Sequence, residues 1–133
     1  CRYFEELHPE PPLFGTNRLN RAQVEMWNRR AELELFLPAV QAFVHTSDFW
    51  KGRRPQVPEY GQVARAHAQK TMTWLNDELA DREFLSGDTY TVADITAQCG
   101  TLLAKNTGTA IPEGLSHFNR WFGAVSARPS ARA

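Results

Sequence analysis

An all-α bundle is the fold this sequence predicts, and three observations carry it. Apolar residues recur every three or four positions over several long stretches, the period of amphipathic helices. No stretch alternates apolar and polar residues as a half-buried strand would. Residues 84–94, Phe-Leu-Ser-Gly-Asp-Thr-Tyr-Thr-Val-Ala-Asp, spell out a helix start: Thr91 is placed as N-cap, its hydroxyl accepting from the Asp94 N–H while the Asp94 carboxylate reaches back to the Thr91 N–H. Tyr90 before the cap and Ile95 at the fourth helical position are placed to close a hydrophobic staple.

The first element is short. Residues 2–7 carry helical periodicity for a turn or two and are stopped by His8-Pro9, and residues 9–17 read as an extended linker, the one plausible domain boundary. From about Arg18 to Thr46 the spacing predicts a long amphipathic helix, with Ala22, Met26, Leu33, Phe36, Leu37, Val40 and Val44 as its apolar stripe and Glu25→Arg29 and Arg30→Glu34 as surface pairs. Pro38 falls inside that pattern, so it removes a backbone donor and kinks the helix without ending it. Residues 47–57 have the glycine, proline and basic composition of a loop.

A second long helix is predicted from about Pro58 to Ala80 on Tyr60, Ala64, Ala68, Met72, Leu75 and Leu79, and its small residues at 64 and 68 suit a close helix crossing. The capped helix spans about 92–106, with Val92, Ile95, Cys99, Leu102 and Leu103 on its inner face and Asn106 and Gly108 to end it. After Ile111-Pro112 a last helix buries Leu115, Phe118, Phe122 and Val125 and stops at Arg128-Pro129.

Composition excludes several classes of function. With 133 residues and 42% hydrophobic content the chain can build one ordinary core and not two. Lys plus Arg and Asp plus Glu both number 15, and a net charge of zero gives no electrostatic reason to expect nucleic acid or an anionic membrane surface. No apolar run approaches the roughly 20 residues of a membrane span, and no charged-then-apolar leader opens the chain. A soluble, cytoplasmic protein is the expectation.

Candidate chemistry is sparse. Cys1 and Cys99 stand outside any Cys-x-x-Cys or Cys/His cluster, which predicts neither a disulfide framework nor a metal site, and Cys99 is expected as a small buried hydrophobe. A start at Cys1 already in helical periodicity reads as a segment of a longer protein. His8, His45, His67 and His117 have no ligand-like partner three or four residues away and read as surface or helix-end residues. His45 with Ser47 and Asp48 looks like a nucleophilic set only on paper, because neighbours at a helix end rarely reach triad geometry. Glu25, Glu32 and Glu34 sit among arginines on a solvated face, and Trp27, Trp50, Trp74 and Trp121 suit packing or the lining of an apolar pocket. No Gly-x-Gly-x-x-Gly or Walker-type loop is present.

Taken in order, these segments resemble the C-terminal all-helical domain of the glutathione S-transferase family. Arg2-Tyr3-Phe4-Glu5-Glu6 looks like the end of the last helix of the family's thioredoxin-like domain, and Leu13-Phe14-Gly15 like its interdomain linker. Arg21 to Trp27 and Arg29 to Leu35 are similar to the family's first all-α helix. Phe84 to Asp88, Thr91 to Ile95, and Trp121, Arg128, Pro129 and Ser130 continue the likeness, which within the family is strongest to theta-like bacterial and fungal enzymes.

The resemblance implies three parts: residues 1–8 ending a missing thioredoxin-like domain, 9–17 as linker, and 18–133 as the all-α domain. It implies glutathione as co-substrate, bound mainly by the missing domain, no metal, and a thiolate-activating residue upstream of Cys1, so that this segment alone is inactive. It implies a cytoplasmic homodimer in which this segment supplies part of the interface and the wall for a small hydrophobic electrophile. Trp27, Arg30 and Glu34, within two turns of one another, are the substrate-binding candidates, with Arg30 able to hold a carboxylate bidentately. Interface packing for Trp27 and a surface ion pair for Arg30 and Glu34 are the competing readings. The resemblance also admits a non-catalytic docking module, and a peroxidase or reductase working through a cysteine in the missing domain.

Overall fold

The computed structural model describes residues 2–131. The reading of Cys1 lies outside them. The described residues are helical, with no strand; a lone pair of hydrogen bonds between Phe84 and Gly87 closes the turn before the capped helix. The order is α1 (Arg2–Leu7), α2 (Arg18–Arg30), a π-helical segment (Ala31–Phe36), α3 (Leu37–Thr46), α4 (Pro58–Glu78), α5 (Val92–Asn106) and α6 (Ser116–Ser126), with short 3-10 turns at Asp48–Trp50 and Pro129–Ala131.

The approach to α2 is fixed by polar contacts. The Glu5 carboxylate on α1 accepts the Leu13 and Phe14 N–H groups at 2.9 and 3.1 Å, and Leu13 C=O accepts the Val92 N–H at 3.0 Å, joining residues 9–17 to the start of α5. Gly15 turns the chain at φ +94°, where a Cβ would meet the Arg21 backbone nitrogen at 2.9 Å. That position requires glycine on both counts. Asn17 then caps α2, its side chain accepting from Asn20 N–H.

Pro38 distorts the long helix in the turn ahead of itself. Lacking an N–H, it cannot donate to the Glu34 carbonyl, and the helix responds with a wider π turn in which Leu37 N–H bonds to Glu32 C=O. The Glu34 carbonyl is satisfied instead by the Thr71 hydroxyl of α4 at 2.8 Å. A wider turn also changes which side chains face inward. Trp27, Ala31, Leu35 and Ala39, four residues apart, are all buried, while Ala22, Met26, Leu33 and Leu37 of the predicted stripe are exposed. A 3.6-residue period loses its register in the widened turn, which accounts for Leu33 and Leu37; Ala22 and Met26 lie in the regular turns of α2 ahead of it, on the face opposite Val24 and Trp27.

The capped helix corrects a second expectation. Its bounds are Val92–Asn106, but Cys99 and Leu102 are exposed and Val92 and Ile95 only half-buried; the inner positions are Ala93, Asp94, Ala97, Gln98, Gly100, Thr101 and Ala104. Cys99 is therefore not a core residue. α5 crosses α2, the π segment, α3 and α6, and a helix packed on several sides needs small side chains at its crossings. At Gly100 the fit is tight, since a Cβ there would lie 3.0 Å from Phe36 Cα and 3.2 Å from Phe36 N. Gly61 plays the same part for α4 against Thr46 of α3, beside buried Ala64 and Ala68.

α6 buries Phe118, Trp121 and Val125, with Leu115 just before it, while Phe122 is only partly covered. Its first turn is capped from outside the helix: Asn76 Oδ1 on α4 accepts the His117 and Phe118 N–H groups at 3.0 and 3.2 Å. Arg120 returns a contact by donating to the Leu79 and Arg82 carbonyls, both at 2.8 Å.

Two glycine substitutions separate crowding from helix propensity. Gly100→Ala improves intrinsic propensity yet presses on the π-segment backbone, and a urea titration should record a loss of about 1–3 kcal/mol. Gly123→Ala, in α6 with open space around its missing Cβ, should instead gain up to about 1 kcal/mol. Equal effects at the two sites would contradict the close α5 crossing.

Candidate functional site

Asp94 is completely buried, and every group around it is a donor. Oδ2 accepts the Thr91 N–H at 2.9 Å and the Thr91 hydroxyl at 3.2 Å; Oδ1 accepts the Leu85 N–H at 3.0 Å and the Trp121 indole N–H at 2.9 Å. Thr91 and Asp94 face each other as a capping box, with the Thr91 hydroxyl turned toward the carboxylate and the Asp94 N–H 3.1 Å from the Thr91 carbonyl. Tyr90 packs edge-on against Phe84 with ring centroids 5.7 Å apart and carries the Arg128 guanidinium 3.8 Å over its centroid. Ile95 is half-buried in the first turn of α5. These residues place no reactive group at a surface.

Burial raises the Asp94 carboxyl above its ordinary range, outweighing the hydrogen bonds from Leu85, Trp121 and Thr91, which act to lower it. A carboxyl raised on folding contributes stability that is present below its unfolded pKa and is lost as pH rises through its folded pKa.

The substrate-binding candidates divide. Arg30 and Glu34 line an open cleft of about 690 Å³ between α2 with its π segment and α4, whose other walls are Val63, Ala66, His67, Lys70, Thr71 and Trp74. Trp27 does not line it. It is 6% exposed and lies against Trp74, the two rings stacked at 5.5 Å and 20°. Arg30 is not paired with Glu34: its guanidinium lies 5.3 Å over the Trp27 ring and 5.3 Å over the Trp74 ring, a shared cation–π contact. Glu34 Oε2 instead meets His67 Nε2 at 2.8 Å across the two helices.

Sequence reasoning missed the α4 half of the cleft, and a signal for it existed. Val63, His67, Lys70 and Trp74 recur at spacings of three and four, a second stripe beside the Ala64, Ala68, Met72 and Leu75 core stripe. The Glu34–His67 contact spans 33 positions and no local spacing rule reaches it. Two other expectations resolve simply. The Glu25–Arg29 pair is formed at 3.1 Å, and His45, Ser47 and Asp48 make no nucleophilic set, because His45 Nδ1 accepts from Val57 N–H and Ser47 Oγ from Phe49 N–H. Among the described residues no three His, Cys, Asp or Glu side chains gather as metal ligands, and no helix is long and apolar enough to cross a membrane.

Comparison with known proteins agrees over nearly the whole chain. The family profile described as "Glutathione S-transferase, C-terminal domain" matches residues 35–129. Glutathione S-transferase 2 of Saccharomyces cerevisiae is 30% identical over 98% of this chain, which spans 57% of that relative. The crystal structure of a glutathione S-transferase domain-containing protein from Marinobacter aquaeolei VT8 superposes with a TM-score of 0.90 at 36% identity, covering 98% of this chain and 64% of that one. A probable elongation factor 1-gamma 1 of Arabidopsis thaliana is 25% identical over 98% of this chain, which spans 31% of it.

Asp94 yields a prediction with two readouts. Asp94→Ala leaves the Leu85, Thr91 and Trp121 N–H groups buried without acceptors and should cost roughly 3 kcal/mol or more in a denaturant titration at pH 7. Asp94→Asn removes the titration, so the wild type should gain stability relative to it as pH falls from 7 toward 4. A gap that widens instead as pH rises would reverse the assigned direction.

Proposed function

The chain belongs to the glutathione S-transferase family, as its C-terminal all-α domain, and from that premise we propose that it is the second-substrate half of an enzyme conjugating glutathione to a small hydrophobic electrophile. In this reading residues 1–8 end the last helix of a thioredoxin-like domain, 9–17 are the linker and 18–133 the all-α domain. The thioredoxin-like domain binds glutathione and activates its thiol; this one positions the electrophile. The α2–α4 cleft carries the reading, since apolar walls with a few polar groups are what holds a reactive carbon against a bound thiolate. Trp74 and Val63 offer apolar surface and Arg30 a charged group at the rim. Trp27 acts from behind, fixing the plane of Trp74. The π segment beside Arg30 and Glu34 is a further support, because such turns recur at functional positions.

The same reading makes the protein a cytoplasmic homodimer. Met26, Leu33 and Leu37 on α2, the π segment and α3 are 41%, 54% and 42% exposed. Large apolar side chains grouped on adjoining helices are what an interface covers. A second reading, a non-catalytic docking module, draws on the elongation factor 1-gamma relative. It leaves the fold unchanged and requires no thiol chemistry in the attached domain.

Steady-state kinetics of the intact protein with glutathione and an activated aryl halide test both readings. Trp74→Ala should raise the KM for the halide several-fold, with the KM for glutathione unchanged. Equal changes in both constants would remove the cleft from electrophile binding, and an absence of conjugation in the intact wild type would leave the docking module.

A further inference from the structure

One contact in the wall of the α2–α4 cleft does little for the fold. His67 Nε2 meets Glu34 Oε2 at 2.8 Å and joins α4 to the π segment, yet the two side chains are 47% and 50% exposed, and a pair so open to solvent contributes little stability. The same two elements are already fastened by the Thr71 hydroxyl on the Glu34 carbonyl and by buried Leu35, Ala68 and Met72 of the common core. Both His67 and Glu34 line the cleft.

A carboxylate on one ring nitrogen fixes the plane of an imidazole and leaves the other nitrogen for proton transfer. Glu34 takes Nε2, and Nδ1 has no hydrogen-bond partner among the described residues. Arg30 faces the same cleft without an ion-pair partner among the described residues. It is held over the Trp27 and Trp74 rings, which leaves guanidinium N–H groups for an oxygen of a bound molecule. An oriented imidazole beside a fixed cation suits an electrophile that must acquire a proton as it reacts. Displacement of halide from an aryl ring requires none.

We propose that His67, oriented by Glu34, is the proton donor to electrophiles that react by addition, the α,β-unsaturated ketones, with Arg30 at the carbonyl oxygen. The inference rests on this cleft being the electrophile site. The glutathione sulfur bonds to the β-carbon, the alkene π pair moves toward the carbonyl oxygen, and the negative charge developing there is met by Arg30. The α-carbon takes the proton from Nδ1 of the protonated ring as the C=O bond re-forms. Solvent, which received the thiol proton, returns one to His67. Glu34 is a positioning residue, touching the ring and not the substrate.

Conjugation of 2-methylcyclopent-2-enone and of an activated aryl halide by the intact protein separates these roles. His67→Gln should lower kcat for the enone on the order of 100-fold more than kcat for the halide. Glu34→Gln should lower the enone kcat by less, with its KM little changed, and should add nothing to His67→Gln, because groups acting as a unit are not additive. Wild-type conjugation in D2O should set deuterium on the α-carbon in one configuration, since a fixed ring reaches one face. Without glutathione, the enone should shift the His67 imidazole resonances. Equal losses on the two substrates, additive losses, the α-configurations of the uncatalysed reaction or unmoved His67 resonances would each overturn the donor and leave the cleft its electrophile. No conjugation of either substrate by the wild type would overturn the donor together with the reading beneath it. The D2O and resonance measurements use the wild type, so a variant that fails to fold does not decide the outcome.

Discussion

One buried carboxylate holds three separate pieces of this bundle together. Asp94 receives the N–H of Leu85 from the turn before α5, the N–H and hydroxyl of Thr91 at its cap, and the indole N–H of Trp121 from α6. Removing any one donor costs one hydrogen bond, but the carboxylate is common to all of them. Its charge is expensive to bury, as the raised pKa records, and that cost is offset only while every donor is in place. The start of α5 is thereby fixed to α6 and to the 84–90 turn at a single point. Since α5 crosses α2, the π segment, α3 and α6, its entry angle sets the arrangement of most of the core.

The second constraint is how closely α5 may be approached. Gly100 admits the backbone of Phe36, and Ala93, Ala97 and Ala104 line the other inner positions. Pro38 releases the Glu34 carbonyl, Thr71 takes it, and the widened π turn rotates Trp27, Ala31, Leu35 and Ala39 onto one buried line. A missing N–H, a hydroxyl on a neighbouring helix and a missing Cβ thus cooperate at one crossing. The cleft follows from the same geometry, because Thr71 fastens α4 to the π segment and so brings His67 within reach of Glu34.

Local signals were legible in the sequence, and helix faces were legible in α4 and α6, where Ala64, Ala68, Met72, Leu75, Leu79, Leu115, Phe118 and Val125 are buried as their spacing predicts. The bounds of α5 fall at the residues its cap and terminal Asn106 predict, and α4 begins at Pro58 as its periodicity requires. Those features depend on neighbours in sequence. The burial of Cys99 and the apolar stripes of α2–α3 and α5 failed because they assume a regular helix with one packed side. α2 to α3 breaks the first assumption and α5 the second, so Leu33, Leu37 and Leu102 are exposed while Trp27 and Leu35 and, on α5, small residues are inside. At the site, Arg30 and Glu34, substrate-binding candidates by resemblance, line the α2–α4 cleft, whereas Trp27 lies behind the wall and His67 and Trp74 are joined to them only by tertiary packing.

The distribution of charge completes the account. A net charge of zero averages over opposite local situations. Arg29 is committed to Glu25 and Glu32, Arg82 to Glu78 and Asp81, and Arg2 to Glu25, so these cations are compensated within the bundle. Arg30, Arg53 and Arg54 lie over aromatic rings instead, where the quadrupole offsets only part of their charge. A cation held over a ring has a fixed position and an unneutralised edge, and it presents apolar surface beside that edge. Overall charge therefore gives no net attraction to a long polyanion, while these three guanidinium groups stand over rings without a carboxylate partner among the described residues. This is a matter of where carboxylates are absent, and it depends on the fold, since Arg30 has Glu34 four residues away in sequence and the π turn and His67 draw that carboxylate elsewhere.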